Sequence, residues 1–454
     1  MPFHRAAYGR RGLALMLVVI TAAVGLVSLG GCSAPANSAT PQAVTAEELD
    51  AQGGGRVPDS PEGLEKIDHF IFIIQENRSF DSYFGTYPGA EGIPAGVSVP
   101  GPLGVRVASY HNAALENRGG PHGWAAAMAD IHGGLMDGFV REAWPSSSPN
   151  PLSTAGTPND VMGYHDYREI PNYWDYANLY VLQDHMFAPV RSYTLPSHVY
   201  MLAGQSGGYV APSPVPGSFT FPEITQLLHD AGVDWKYYVR QGSPSETRRR
   251  AILAQDSAAT QAARVYSYMN PLLGFPAVRN DPTQSGRVAP TDQFYLDAAA
   301  GKLPQVCWLV PSDAVSEHPP ANVADGMAYV TGIVNAVMQS PDWQHAAIFI
   351  TWDEWGGFYD HVVPPKVDAY GFGLRVPGLI ISPYAKHGFV DHKAASTGSW
   401  LRIVEERFRL PSLTARDSHA YDMIDAFDFG QPPRGPVLLQ ATAQGSLYPP
   451  ALSP

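Results

Sequence analysis

From residue 66 onward, short uninterrupted apolar runs recur along the chain, separated by stretches in which apolar residues return every three or four positions. The runs are Phe70-Ile71-Phe72-Ile73-Ile74, Leu179-Tyr180-Val181-Leu182, Val306 to Val310, Ala347-Ile348-Phe349-Ile350 and Leu379-Ile380-Ile381. Such runs suit strands buried on both faces, as in a parallel sheet. Between them, Thr220-Phe221-Pro222-Glu223 predicts a capping box ahead of Ile224, Leu227 and Leu228, with Gly232 closing that helix. Asp325 is the expected cap of a helix whose apolar face is Val330, Ile333, Val334, Val337 and Met338. A later helix carries Trp400, Leu401, Val404 and Phe408 on one side. The alternation predicts a doubly wound α/β domain over residues 62–430, with a central, mostly parallel sheet flanked by helices. Residues 431–454, rich in Pro, Gly, Gln and Ala, read as an irregular tail.

The first 32 residues carry a different pattern. Arg5, Arg10 and Arg11 precede an uncharged apolar run from Leu13 to Leu29, followed by Gly30-Gly31-Cys32. A basic region, an apolar region and then small residues is the order of an export signal. Leu29-Gly30-Gly31-Cys32 resembles a bacterial lipobox, in which the cysteine becomes the lipid-bearing first residue of the exported chain. Arg10-Arg11-Gly12-Leu13 also resembles a twin-arginine motif. Residues 1–32 therefore read as a lipoprotein signal peptide, with a retained membrane anchor or plain secretion as alternatives, and residues 33–61 as a flexible tether. The expected location is outside the cytoplasm, held to the membrane by lipid on Cys32 at the cell surface or periplasmic side.

Charge narrows the partners. With 29 Lys+Arg against 42 Asp+Glu the net charge is −13, which excludes broad phosphate neutralisation and so a nucleic-acid binder of that kind. The chain is 45% hydrophobic and 16% charged, a globular composition. Its 44 glycines and 42 prolines supply many shaped loops and argue against a helical bundle. If Cys32 is lipidated, Cys307 has no disulfide partner; within Gln305-Val306-Cys307-Trp308 it reads as a small core residue on a strand.

The chemistry sits just after the predicted strands, where open α/β sheets bind ligands. Ile73-Ile74 runs into Gln75-Glu76-Asn77-Arg78-Ser79-Phe80-Asp81, and Phe349-Ile350 runs into Thr351-Trp352-Asp353-Glu354-Trp355-Gly356-Gly357-Phe358-Tyr359-Asp360-His361. Gathering the carboxylates of Glu76, Asp353 and Glu354 requires a positive charge among them, best supplied by a divalent cation. Thr194, in Ser192-Tyr193-Thr194-Leu195-Pro196-Ser197-His198, stands where a helix begins, with Pro196 in the first turn. Amides at such a start favour an anion, although Thr194 acting only as an N-cap is the plainer alternative. His69 and His185 read as structural.

Glu76-Asn77-Arg78-Ser79-Phe80-Asp81 and Asp353-Glu354-Trp355-Gly356-Gly357-Phe358-Tyr359-Asp360-His361-Val362 resemble the two signatures of the bacterial phosphoesterase family. That family includes phospholipases C and acid phosphatase A-like enzymes and belongs to the alkaline-phosphatase superfamily. Met136-Asp137-Gly138-Phe139, Ser316-Glu317-His318-Pro319-Pro320 and Arg375-Val376-Pro377 resemble further elements in the same order, so the similarity spans residues 66–428. It implies an alkaline-phosphatase-like fold and a metal site of Glu76, Asn77, Asp353 and Glu354. It implies Thr194 as nucleophile in an element resembling Thr-x-Pro-Asn, with Ser197 replacing the Asn. His318 and His122 match positions that hold phosphoryl oxygens or protonate a leaving alkoxide, and His361 could do either or orient a metal ligand.

The implied reaction is metal-dependent hydrolysis of a phosphate ester or phospholipid through a phosphothreonine intermediate, of phospholipase C type. An acid phosphatase acting on phosphomonoesters is the runner-up, and a non-catalytic solute-binding lipoprotein is the alternative from a different class. The sequence does not choose among zinc, calcium, magnesium and manganese. Substrate choice is assigned to loops such as Asn112 to Ala125 and Ala211 to Phe219.

Overall fold

The computed structural model describes residues 55–144, 156–210, 219–240 and 269–441. The signal peptide, most of the tether, nearly all of the Ala211 to Phe219 loop and residues 442–454 lie outside the described residues. No described helix is long and apolar enough to cross a membrane.

Eight strands form the central sheet: β1 His69–Gln75, β2 Val181–Gln183, β3 Trp235–Val239, β4 Val288–Pro290, β5 Val306–Val310, β6 Ala346–Trp352, β7 Gly378–Ile381 and β8 Phe389–Asp391. Their spatial order is β8-β2-β7-β6-β1-β5-β3-β4. Neighbours pair parallel except β7, which runs antiparallel to both β6 and β2. The fold is α/β, with a mostly parallel sheet flanked by helices. Central strands β1, β5 and β6 are buried almost throughout, which is why their sequences carry no polar alternation. Cys307 is a buried thiol on β5.

Side chains alternate across β1, so Phe70 and Phe72 share one face. The helix Thr397–Phe408 covers that face: the ring of Trp400 stacks on Phe72 at 4.8 Å, and Phe408 meets Phe70 edge-on at 6.0 Å. The helix Val323–Gln339 buries the five apolar positions expected of it. A second, smaller core joins Val99, Ile131, Phe139, Val140 and Met162 to Trp355 and Tyr359, which follow β6. Chain inserted between β1 and β2 therefore packs on the segment leaving the carboxyl end of β6. Residues 431–441 form no helix or strand, yet Leu439 is buried and the Trp343 indole donates to the Arg434 carbonyl (3.0 Å).

Three expectations about element ends need correction. The helix Ile224–Asp230 is capped by Glu223 itself, whose carboxylate accepts from the amides of Thr225 (2.6 Å) and Gln226 (2.9 Å). Pro222 disfavours helical backbone at Phe221, which works against a start at Thr220. The cap of Val323–Gln339 is Asn322, which accepts from the Ala324 amide, and Asp325 lies within the first turn. Leu179 and Tyr180 are not on a strand: the helix Pro171–Leu179 ends there and β2 begins at Val181. A continuous apolar run hides such a boundary because both elements are buried.

Trp400→Ala removes the indole against β1 and should lower the free energy of unfolding by about 3–5 kcal/mol. The urea midpoint should fall with an unchanged m-value.

Candidate active site

The parallel register of β1 with β6 sets Gln75 opposite Trp352, so Glu76 and Asp353 are the first residues beyond two adjacent strand ends. The Asp353 amide donates to the Gln75 carbonyl (2.9 Å), which extends the pairing by one residue. Asn77 turns there with φ 61°, a left-handed conformation that asparagine tolerates better than most residues. Gly356 closes over it: a Cβ at Gly356 would stand 2.6 Å from the Asn77 carbonyl oxygen, and φ is +64°. Gly357 meets Gly120 in the same way, with a hypothetical Cβ 2.4 Å from the Gly120 Cα.

The structure brings Glu76, Asn77, Asp353 and Glu354 into this buried corner. Thr194 joins them. It is the first residue of the helix Thr194–Ala203, behind Tyr193 at the N-cap, and its hydroxyl donates to Glu76 Oε2 (3.1 Å) rather than capping the helix. His198, one turn further along that helix, points Nε2 at Glu76 Oε1 (3.7 Å). Its place four residues after Thr194 was the sequence signal for it, and it was not among the expected site residues.

Each carboxylate is held by one oxygen and bare at the other. Asp353 Oδ1 accepts from the amides of Asn77 (3.0 Å) and Glu354 (2.8 Å), while Oδ2 has no partner. Glu354 Oε2 accepts from the Gly356 amide (2.8 Å), while Oε1 has none. Glu76 Oε1, the Asn77 side-chain amide and His198 Nε2 are likewise buried without partners. An unmet buried polar group costs about 1–3 kcal/mol, more if charged. So many in one corner fit a cation, and Glu76, His198 and Asp353 place ligand atoms within 4.8 Å of one another. Mixed oxygen and imidazole donors suit a divalent ion.

Burial pushes Glu76 up to about 8, and burial with the neighbouring Glu76 carboxylate pushes Asp353 up to about 8. Burial also raises Glu354 well above the carboxylate range and pulls His198 down to about 4. Without a cation the acids hold protons at neutral pH, and metal binding must release them.

His122 and His318 face one another, ring centroids 5.7 Å apart, and His122 lies 5.6 Å from the Tyr193 ring beside the nucleophile candidate. The Nδ1 of His122 bonds to the Gly120 carbonyl (2.9 Å) and that of His318 to the Pro319 carbonyl (2.8 Å). Carbonyls only accept, so both Nδ1 atoms carry the proton and Nε2 is the lone-pair nitrogen. Burial lowers both rings, His122 to about 4 with the second imidazole adding to the effect. The loop bearing His318 is anchored through Ser316, whose carbonyl accepts from the Glu76 amide (2.9 Å). It is anchored again through Glu317, which takes bonds from Tyr83, Tyr173, Trp352 and Gln75 in a buried aromatic cage. Nothing in the sequence marked Glu317 for that role, because its partners come from four separate segments.

His361 belongs to a different network. Its Nδ1 and its backbone amide both bond to Asp81 Oδ2 (2.8 and 3.0 Å), and the buried Arg375 bridges Asp81 Oδ1 (2.9 Å) and Asp360 (3.1 Å). Asp81 ends the first motif, Asp360 lies in the second and Arg375 opens the Arg375-Val376-Pro377 element, so one guanidinium ties together three sequence-distant motifs.

The family model for the phosphoesterase family matches residues 67–411. Among similar proteins, phospholipase C A of Mycobacterium tuberculosis is 29% identical over 442 residues, covering 84% of this chain and 81% of that one. A non-hemolytic phospholipase C of Burkholderia pseudomallei is 31% identical, covering 81% of this chain and 60% of its own length. Among solved structures, an alkaline-phosphatase-superfamily protein of Vibrio parahaemolyticus is 11% identical with a TM-score of 0.35, covering 81% of this chain and 70% of that one.

For the metal-stripped protein the raised carboxyl values fix the sign of a pH dependence. A group raised on folding stabilises below its unfolded pKa and loses that contribution as pH rises through its folded pKa, here from about 4.5 to about 8. Chelator-treated protein should therefore melt progressively lower across that window, and added divalent metal should reverse the loss. Asp353→Asn with Glu354→Gln should stay folded, flatten the pH slope and abolish the metal response. Differential scanning calorimetry checks all three outcomes.

Proposed function

Because the chain belongs to the phosphoesterase family and is a hydrolase of phosphate esters, we propose that Thr194 is its nucleophile and that it cleaves phospholipids as a phospholipase C. The observation carrying this reading is the Thr194 hydroxyl donating to Glu76 beside carboxylate oxygens that have no other partner. A divalent ion held by Glu76, Asn77, Asp353, Glu354 and His198 would polarise a phosphoryl oxygen and make the threonine hydroxyl more acidic.

Thr194 Oγ1 attacks phosphorus in line as its proton passes to Glu76 Oε2, forming the Thr194 O–P bond while the bond to the leaving alcohol oxygen breaks. His318 or His122 protonates that alkoxide through Nε2; the negative substrate favours the imidazolium that the empty pocket disfavours. Water then attacks the phosphothreonine from the vacated side and gives its proton to the same histidine, and the threonine oxygen recovers its proton from Glu76. Two in-line displacements retain configuration at phosphorus. Arg78, buried with its guanidinium 4.5 Å from the Phe358 ring and bonded to the Asn77 carbonyl (3.1 Å), adds fixed positive charge beside this corner.

We also propose export as a lipoprotein through Cys32, on the sequence pattern of residues 1–32. Cys32→Ser should end lipid labelling and membrane retention without altering the catalytic constants of the released domain. Continued labelling would refute it.

The substrate class is tested by product release from phosphatidylcholine against p-nitrophenyl phosphate, before and after chelation. Diacylglycerol release that stops on chelation is expected, whereas preference for the monoester would make the protein an acid phosphatase. Thr194→Ala should fold and bind metal normally while turnover falls by about three orders of magnitude or more. Thr194→Ser should retain part of the rate. Rapid quench should trap phosphate on Thr194; inversion at phosphorus with no covalent species would replace the double displacement with direct attack by water.

A further inference from the structure

Apolar side chains that reach solvent are not spread evenly over this molecule. Of the twelve large ones exposed among the described residues, nine lie in two segments, the chain inserted between β1 and β2 and the loop between β6 and β7. Those segments leave the two strand ends that carry Glu76 and Asp353. Single exposed apolar residues need no explanation, but their concentration beside a buried polar site does.

Four of them flank the approach to Thr194. The helix Trp124–Ile131 starts against the helix of the nucleophile candidate: at its N-cap, Gly123, a Cβ would stand 2.3 Å from the hydroxyl of Tyr193, the residue before Thr194. Further along, Met128 is turned outward and its sulfur meets Arg191 Nη1 (3.7 Å). Beyond the helix end, Leu135 is exposed at 67%. Gly134 beside it abuts the loop after the second motif, where a Cβ would stand 3.8 Å from Val363 Cγ2. Met128, Val363 and Val367 are each exposed at 44–50%. The loop that presents the two valines is fixed. The Phe372 amide closes it onto the Pro365 carbonyl (3.0 Å), and Arg416 clamps it through Asp368 (2.5 Å) and the Gly371 carbonyl (3.2 Å).

A phospholipid in a bilayer holds its phosphodiester at the boundary between headgroups and acyl chains, so a protein that reaches it in place needs apolar side chains beside its polar site. The net charge of −13 opposes attachment to an anionic membrane. The surface that fits is therefore a zwitterionic one, held by insertion rather than by charge. Arg191 supplies positive charge at the rim: its Nε donates to the Phe372 carbonyl (3.0 Å), and Asp368, the carboxylate whose field it feels, is bonded to Arg416.

We propose that Met128, Leu135, Val363 and Val367 form the face by which the protein docks on a zwitterionic phospholipid bilayer, with Arg191 at its inner edge toward a lipid phosphate, an inference that rests on the reading of the protein as a phospholipase C. Docked this way, the approach past Tyr193 and His122 opens onto the headgroups.

The test uses the full-length chain carrying Cys32→Ser, so that no lipid on that residue contributes, and phosphatidylcholine vesicles as probe. Leu135→Cys, Val363→Cys and, as control, the comparably exposed Leu296→Cys on the helix Thr291–Ala299 are each labelled with an environment-sensitive fluorophore; Cys307 is buried and takes no label. In chelator, vesicles should shift the emission of the first two labels to shorter wavelength, at low and high salt alike, and leave the third unchanged. Met128→Ser/Leu135→Ser/Val363→Ser should melt as its parent does and hydrolyse soluble dibutyryl phosphatidylcholine at the parent rate, while its rate on vesicles falls about tenfold or more. If that variant does not fold, the labels decide alone. No shift of the first two labels, an equal shift of the third, or an unchanged ratio of vesicle to soluble rates overturns the docking face. Loss of a dimer in the triple variant with vesicle binding intact gives the face to a second copy instead. A parent that hydrolyses neither form of phosphatidylcholine defeats the phospholipase reading, and the labels then still show whether this face meets lipid.

Discussion

The side-by-side exit of β1 and β6 is the constraint on which the rest of the site depends. Parallel pairing sends both chains out of the sheet at the same end, and the register fixes Glu76 and Asp353 as neighbours. Backbone amides then take one oxygen of Asp353 and of Glu354, and Thr194 takes one oxygen of Glu76. What remains is a cluster of bare oxygens that burial makes unfavourable as free anions. A bound cation would relieve this cost.

The cluster keeps its shape because its supports are rigid and come from several directions. Gly356 and Gly357 let the chain after β6 pass within contact of Asn77 and Gly120, an approach that any side chain would block. Glu317, caged by two tyrosines, a tryptophan and Gln75, fixes the loop carrying His318. Gly326 permits that cage, since a Cβ there would stand 2.2 Å from Glu317 Cγ. Arg375 joins the distal ends of the two acidic motifs. A pocket held this way undergoes little reorganisation when charge develops, the property electrostatic catalysis requires.

The Arg375 network also ties the ends of the two acidic motifs to the end of β2. Asp81 follows Glu76 by five residues and Asp360 follows Glu354 by six, so the chains leaving the acidic corner converge on one guanidinium, which also bonds the Glu91 carbonyl. His361 stands on the outer side of that network, bonded to Asp81 and without a bond to Thr194 or to the carboxylates beside it among the described residues. Within the second motif it is the residue that Asp81 of the first motif holds.

The sequence by itself determined the fold class, the central strands and the acidic strand ends, because uninterrupted apolar runs and the residues just after them are local features. It also identified Thr194 beside a helix start, since Pro196 limits where a helix can begin. It could not place His198, whose relevance depends on the angle at which the helix Thr194–Ala203 meets β1, nor Glu317, whose partners come from four segments. The caps at Glu223 and Asn322 were misplaced by a few residues because several polar side chains competed there, and only the backbone path decided among them. The pairing of His185 with Glu91, 94 positions earlier, is likewise absent from any local pattern. Local pattern encodes which segments are buried, whereas the convergence of polar groups from distant segments is set by packing, and that packing decided which histidines and carboxylates meet.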